Sequence, residues 1–174
     1  MNILIFPVSS RDHMQGSLTA PITLVQYGDY QCPHCAEAYL IIQALQQQLG
    51  EQLCFVYRHF PCHDIHPDAQ HAAEAAEAAG SQDRFWQMHD CLYRNYQALS
   101  NGHLVEYASG LDLDINQFLR EVTGDMHVNR IQHDLQSGKA SGVSTTPAFF
   151  INNYRYNGSL TQDALLTAIE LVKQ

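Results

Sequence analysis

The apolar positions of this chain change their period along its length, and the changes divide it into strand and helix. Ile22 to Tyr27 (Ile-Thr-Leu-Val-Gln-Tyr) is β-branched and apolar, which predicts a strand. Ala36 to Leu49 is rich in Ala, Leu and Gln with apolar residues at helical spacing, and Gln52 to Phe60 reads as a second strand ended by Pro61. Two strands flanking a helix predict a βαβ unit with parallel pairing. From His66 to about Gly138 the period is helical, with segments at 68–79, 83–99, 103–110 and 115–122. Strand character returns at Ala148–Ile151, turns at Asn152-Asn153 and continues around Arg155–Asn157, and Thr161 opens a last helix. The pattern therefore predicts an α/β fold: a mixed four-stranded sheet, with a helical insertion (66–138) between a βαβ half and a ββα half, in one domain spanning 1–174. Ser137-Gly138 and Ser141-Gly142 are too short to be a linker.

With 174 residues the chain can bury roughly 70% of its unfolded surface in one core. Nine Lys and Arg against eighteen Asp and Glu give a formal charge of −9, and no basic block occurs, so a nucleic-acid backbone would be repelled. No apolar run has the length of a membrane span, and Met1–Phe6 lacks the basic flank and apolar length of a signal peptide, so the chain as given reads as cytoplasmic. Five cysteines, an odd number, fit that compartment better than a disulfide framework.

Cys32-Pro33-His34-Cys35 falls where the first strand gives way to the first helix. With Cys32 at or near the N-cap, the helix dipole and unpaired N–H groups of the first turn favour its thiolate. Pro33 fits an early helical position, and the His34 ring can be cationic near the sulfur; both lower the Cys32 pKa from about 8.5 to roughly 3.5–7.5. Cys32 is then the nucleophile. Cys35, one turn inside the helix and buried, is the resolving thiol with a more ordinary pKa. A stabilised thiolate stabilises the reduced pair and makes its disulfide more oxidising, so Pro33 and His34 tune the potential.

The competing reading is a metal-binding or thiol-buffering module using Cys32, Cys35 and nearby histidines. It lacks a second C-x-x-C, and Cys54, Cys62 and Cys91 are scattered. His59, Cys62, His63, Asp64 and His66 match no metal template and read as a polar loop beside the dithiol. Cys54 and Cys91 read as small buried apolar residues; Cys62, after a strand end, is the one exposed enough for an auxiliary disulfide or dimer bridge. Ala72 to Ala79, with Glu74 and Glu77, reads as a closely packed helix with no chemistry. Phe85, Trp86, Met88, Leu92 and Tyr96 read as core. No cofactor is expected.

Tyr-Gly-Asp-Tyr-Gln before the C-P-H-C motif, Arg58-His59-Phe60-Pro61, Phe85-Trp86-x-Met88-His89 and Ser141-Gly142-Val143-x-Thr145-Thr146-Pro147 together resemble the DsbA-like family of thioredoxin-fold oxidoreductases, from about Arg11 to the C-terminus. The resemblance implies a thioredoxin fold, protein or peptide thiols and disulfides as partners with a thiol or redox protein as electron exchanger, and a cis Thr146-Pro147 bond facing the dithiol. It also implies that Thr146 presents backbone groups to an extended substrate by strand addition. One departure stands out. Where thioredoxin-like proteins commonly hold a buried carboxylate six residues before the first cysteine, this chain has Gln26, which cannot move the proton of Cys35.

Overall fold

In a computed structural model that describes residues 3–172, every residue of the run Leu53–His59 is buried, and the same holds for all but Thr23 of Ile22–Gly28. These are strands β3 (Leu53–His59) and β2 (Ile22–Gly28), paired in parallel from Ile22 opposite Leu53 to Gly28 opposite His59. Both faces of the pair are covered, which is why the strands read as nearly continuous apolar runs. The period of two still sorts their side chains: Ile22, Leu24, Phe55 and Tyr57 enter one core, while Val25, Tyr27, Cys54 and Val56 enter a second on the opposite face.

The crossover between β2 and β3 is helix α1 (Pro33–Leu49), followed by a single 3-10 turn at Gly50–Gln52. Strands β4 (Ala148–Ile151) and β5 (Tyr154–Tyr156) form the expected hairpin, with Asn152 and Asn153 both at positive φ, 45° and 74°. That is the geometry of a two-residue turn matching the right-handed twist of its strands. β4 lies antiparallel to β2, with Leu24 opposite Ile151 and Tyr27 opposite Ala148, and helix α7 (Gln162–Val172) closes the order. The four expected strands are joined by a fifth: β1 (His13–Gln15), antiparallel to β3, gives the mixed sheet β1-β3-β2-β4-β5. Three residues, His-Met-Gln, carry no strand signal of their own; the open edge of β3 recruits them.

Between β3 and β4 lie α2 (Ala69–Gly80), α3 (Phe85–Arg94), α4 (Asn101–Gly110), α5 (Ile115–Thr123) and α6 (Val128–Ala140). α3 is shorter than its apolar pattern, stopping at Asn95. α6 was not evident as a separate helix: its buried face is made of Ile131, Asp134, Leu135, Ser137 and Gly138, largely polar or small. A Cβ at Gly138 would stand 2.8 Å from the Phe60 ring, so glycine sets how closely α6 approaches the sheet. The first two and last two residues of the 1–174 span lie outside the described residues.

Buried charge anchors the edges. Arg58 forms a two-point pair with Asp12 (2.7 and 3.1 Å) and donates to Tyr27 Oη, holding the segment before β1 against the sheet. Glu77, on the alanine-rich α2 read as chemically silent, is buried and accepts from His13 Nε2 (2.7 Å) and His59 Nε2 (2.8 Å) on a single oxygen. Burial alone would raise its carboxyl, but these two rings hold it far below the usual range.

Candidate active site

Cys32 has extended backbone (φ −76°, ψ 121°) and is the N-cap of α1, and Pro33 occupies the first helical position as its fixed φ and missing N–H favour. The Cys35 and Ala36 amides both bond the Cys32 carbonyl at 3.1 Å, closing the first turn around the two thiols. Across from that turn, the Thr146-Pro147 peptide bond is cis and the Thr146 carbonyl oxygen lies 3.5 Å from Cys32 Sγ. Chain positions 114 residues apart thus meet at one sulfur.

The thiols have opposite electrostatics. Cys32 is drawn down from 9.0 to about 5: a hydrogen bond from the Cys35 thiol is the largest cause, opposed by partial burial and supported by the backbone N–H groups of Cys35 and His34 and by the Thr146 side chain. Cys35 is fully buried and pushed well above its ordinary value, first by that burial and then by the sulfur it serves. Both results correct the expectation from sequence: burial keeps Cys35 from being an ordinary thiol, and His34 acts through its backbone rather than its ring. The His34 ring is exposed, with Nδ1 3.4 Å from Glu37, and is not among the groups that set the Cys32 thiolate.

Beneath Cys35 the wall is aromatic. Tyr57 and Tyr93 share a hydroxyl hydrogen bond of 2.9 Å, the Tyr30 ring stacks on Tyr57 at 5.3 Å, and Tyr30 Oη and His89 Nδ1 are hydrogen-bonded at 3.0 Å. Burial drives the His89 pKa well down, so the ring stays neutral. Tyr93 and His89 come from α3, so the insertion supplies the floor of the site. Gln26 is buried, and its Nε2 has no hydrogen-bond partner. It faces a cavity of about 60 Å³ lined also by Tyr39, His89 and Asp90, room enough for water. Burial pushes the Asp90 carboxyl up, opposed by a hydrogen bond from Tyr39.

The histidine-rich loop after β3 scatters to three places. His59 joins Glu77 and His13; His63 and Asp64 face solvent; His66 Nδ1 bonds Asp29 Oδ2 at 2.9 Å. Asp29, buried and without a mark in the sequence beyond its place in Tyr-Gly-Asp-Tyr-Gln, organises the approach to the dithiol: Oδ1 accepts from Gln31 N and Oδ2 from Cys62 N, both at 2.8 Å. Cys54 is buried as expected, whereas Cys91 is half-buried. Among the described residues, the one group of three or more side chains close enough to hold a metal is His13, His59 and Glu77, and neither Cys32 nor Cys35 belongs to it.

A family model described as thioredoxin matches residues 9–171. The chain belongs to this thioredoxin family. Its fold is shared with BdbD from Bacillus subtilis in the oxidised state (TM-score 0.87, 19% identity, 99% of this chain and 98% of that one). It is likewise shared with alpha-DsbA1 from Wolbachia pipientis (TM-score 0.81, 17% identity, 98% and 94%). The DsbA-like resemblance of the motifs thus holds at the level of the fold. Among curated relatives, a protein named Na(+)/H(+) antiporter NhaA 1 from Salinispora arenicola is 42% identical over 167 residues, which are 95% of this chain but 26% of that protein. The chain spans about a quarter of the length of the curated relatives it matches. Among the described residues no helix is long and apolar enough to cross a membrane.

Proposed function

We propose that this domain is a thiol-disulfide oxidoreductase that exchanges disulfides with protein or peptide thiols through Cys32 and Cys35. The observation that carries the reading is the Cys32 sulfur at the α1 N-cap, drawn to about 5 beside a buried, protonated Cys35 and opposite Thr146. Such a sulfur is almost wholly thiolate at neutral pH. It attacks one sulfur of a substrate disulfide, forming a mixed disulfide and releasing the other substrate sulfur as a thiolate. Cys35 then loses its proton and attacks Cys32, releasing the second substrate thiol and leaving the Cys32–Cys35 disulfide; the oxidised enzyme runs the same steps in reverse. Thr146 and the cis Pro147 form the wall along which an extended substrate strand would pair. Pro33 and the His34 amide tune the thiolate.

The metal-binding alternative finds no support in the geometry, since the loop histidines turn to Glu77, Asp29 and solvent rather than to the dithiol. The antiport is in the name of a longer protein, of which this chain matches 26%.

Equilibration with glutathione redox buffers tests the reading. A two-electron Cys32/Cys35 couple is expected, with a potential between about −270 and −120 mV, a span of roughly 7 kcal/mol that separates a reductase from an oxidase. A pair that never equilibrates overturns it. For Cys35, we infer that with the neutral Gln26 in place of a buried carboxylate its proton is passed on without a side-chain base. Gln26→Glu should therefore speed release of the mixed disulfide about a hundredfold, the low end of general-base effects. An unchanged rate overturns this inference.

A further inference from the structure

We propose that Cys62 is a second resolving thiol for Cys32, reaching a mixed disulfide from the open side of the site while Cys35 reaches it from the buried side. The inference rests on the reading of Cys32 as the exchanging sulfur.

Two independent bridges bring Cys62 to Cys32. The first is Asp29. Its two carboxylate oxygens accept from Gln31 N and Cys62 N at 2.8 Å each, so the two amides are at most about 8 Å apart. Cys32 follows Gln31 directly and bonds the Asp29 carbonyl through its own amide at 3.2 Å. The second is Thr146, whose carbonyl lies 3.5 Å from Cys32 Sγ and whose side chain lies close enough to all three thiols to favour the thiolate of Cys32, Cys35 and Cys62 alike. Three sulfurs from α1 and the β3–α2 loop thus converge on one residue of the β4 approach.

The backbone at Cys62 is held on both sides. Its N–H is fixed by Asp29, and its carbonyl accepts from Ile65 and His66 at 3.0 and 2.9 Å. The side chain has only a long contact to the Phe60 carbonyl at 3.6 Å, and the residue is half-exposed. A disulfide needs the two Cα atoms within about 7 Å, at the near end of the distance these bridges allow.

The step balances without an added oxidant. The Cys62 thiol gives its proton to solvent, and its thiolate attacks the Cys32 sulfur of the mixed disulfide. The Cys62–Cys32 bond forms as the bond from Cys32 to the substrate sulfur breaks, and the substrate leaves as a thiolate. Cys62 is oxidised and the substrate sulfur reduced. Burial and then the Asp29 charge raise the Cys62 thiol, so the rate of this route climbs as pH rises toward the thiol range.

The test uses the full chain as Cys35→Ala and as Cys35→Ala with Cys62→Ser, each treated with oxidised glutathione at pH 7 and pH 9, acid-quenched and mapped by mass spectrometry. In Cys35→Ala alone, a Cys32–Cys62 disulfide should appear. Its glutathione adduct at Cys32 should decay at least tenfold faster than in the double variant, with a larger ratio at pH 9. An adduct that persists equally in both, with no Cys32–Cys62 peptide, overturns the proposal. Direct mapping in Cys35→Ala does not depend on how the Cys62→Ser chain folds. Wild-type protein run alongside separates the two readings: if its Cys32 and Cys35 also fail to exchange with glutathione, the oxidoreductase reading falls and this one with it.

Discussion

Cys32 and Cys35 stand three residues apart on one helix, yet the mouth of the site around Cys32 and its floor around Cys35 are built from opposite materials. The mouth is polar and made of backbone: amides of the first α1 turn, the Thr146 carbonyl and hydroxyl, and the Asp29 carboxylate tying Gln31 to Cys62. The floor is aromatic and made of side chains, with Tyr30, Tyr57, Tyr93 and His89 all buried. A sulfur among amide dipoles is stabilised as an anion, and a sulfur against phenol rings is kept as a neutral thiol. The asymmetry a dithiol needs is thus obtained within one helical turn by placing one cysteine just outside the helix and the other just inside.

The most severe test of that contrast is alkylation with iodoacetamide. At pH 7 a thiol at about 5 is roughly 99% ionised and one above 9 less than about 1%, so Cys32 should react at least about 100-fold faster than Cys35. Rates within tenfold of each other would mean the two surroundings do not differ in the way described. The same shifts predict opposite pH behaviour of the reduced fold. The folded pKa of Cys32 is depressed, so its contribution to stability is complete above 9.0 and is lost as pH falls toward about 5. Cys35 is raised, so its contribution is present below 9.0 and is lost as pH rises from 9.0 through its higher folded value. Melting of reduced wild type against Cys32→Ala should therefore show a gap that narrows between pH 9 and pH 5.

The floor can be broken at Gly28. A Cβ there would stand 2.5 Å from Tyr57 Cε2 and 2.6 Å from Tyr93 Oη, and both tyrosines are buried. Gly28→Ala should cost about 1–3 kcal/mol, read as a lowered denaturation midpoint with an unchanged slope. Stability within a few tenths of wild type would show that the tyrosine pair yields easily. At the mouth, Thr146→Val removes the hydroxyl while keeping the carbonyl. A hydrogen bond to a charged group contributes roughly 1.5–3 kcal/mol, so the thiolate midpoint, followed by absorbance at 240 nm, should rise by about one unit or more. A rise below about 0.3 unit would assign the stabilisation to the Cys35 thiol and the amides.

How much of this was legible in the chain follows from the range of each interaction. The β2–α1–β3 unit and the N-cap position of Cys32 are local, written in period and in the Cys-Pro pair, and the structure repeats them. The hairpin at Asn152-Asn153 was legible for the same reason. The cis bond before Pro147 was legible through the motif resemblance. β1 was not, because His-Met-Gln becomes a strand only by borrowing the β3 edge. α6 was hidden because a helix that packs Asp134, Ser137 and Gly138 inward shows little apolar period. The roles of Asp29, Glu77 and the tyrosine floor were invisible because their partners lie tens of residues away: Glu77 is 64 residues from His13, and Tyr57 is 36 from Tyr93. Buried polar groups are specified by partners, and partners are what a linear reading lacks.

The smallest effect belongs to the residue that the C-P-H-C motif makes most conspicuous. His34 was expected to lower the Cys32 pKa with a cationic ring, but the ring is exposed and turned toward Glu37, while the His34 amide bonds the sulfur. Charges interacting through solvent at the surface are worth far less than an aligned amide at a helix N-terminus. His34→Ala keeps that amide and leaves the Pro33 turn intact, so the alkylation midpoint of Cys32 should move by less than about 0.5 unit, a fraction of the Thr146→Val effect. His34→Pro, which deletes the N–H, should move it further than His34→Ala, since the donor and not the ring is lost. If Ala shifts the midpoint by a full unit, the ring does reach the thiolate in solution, and the mouth of the site is set by a side chain after all.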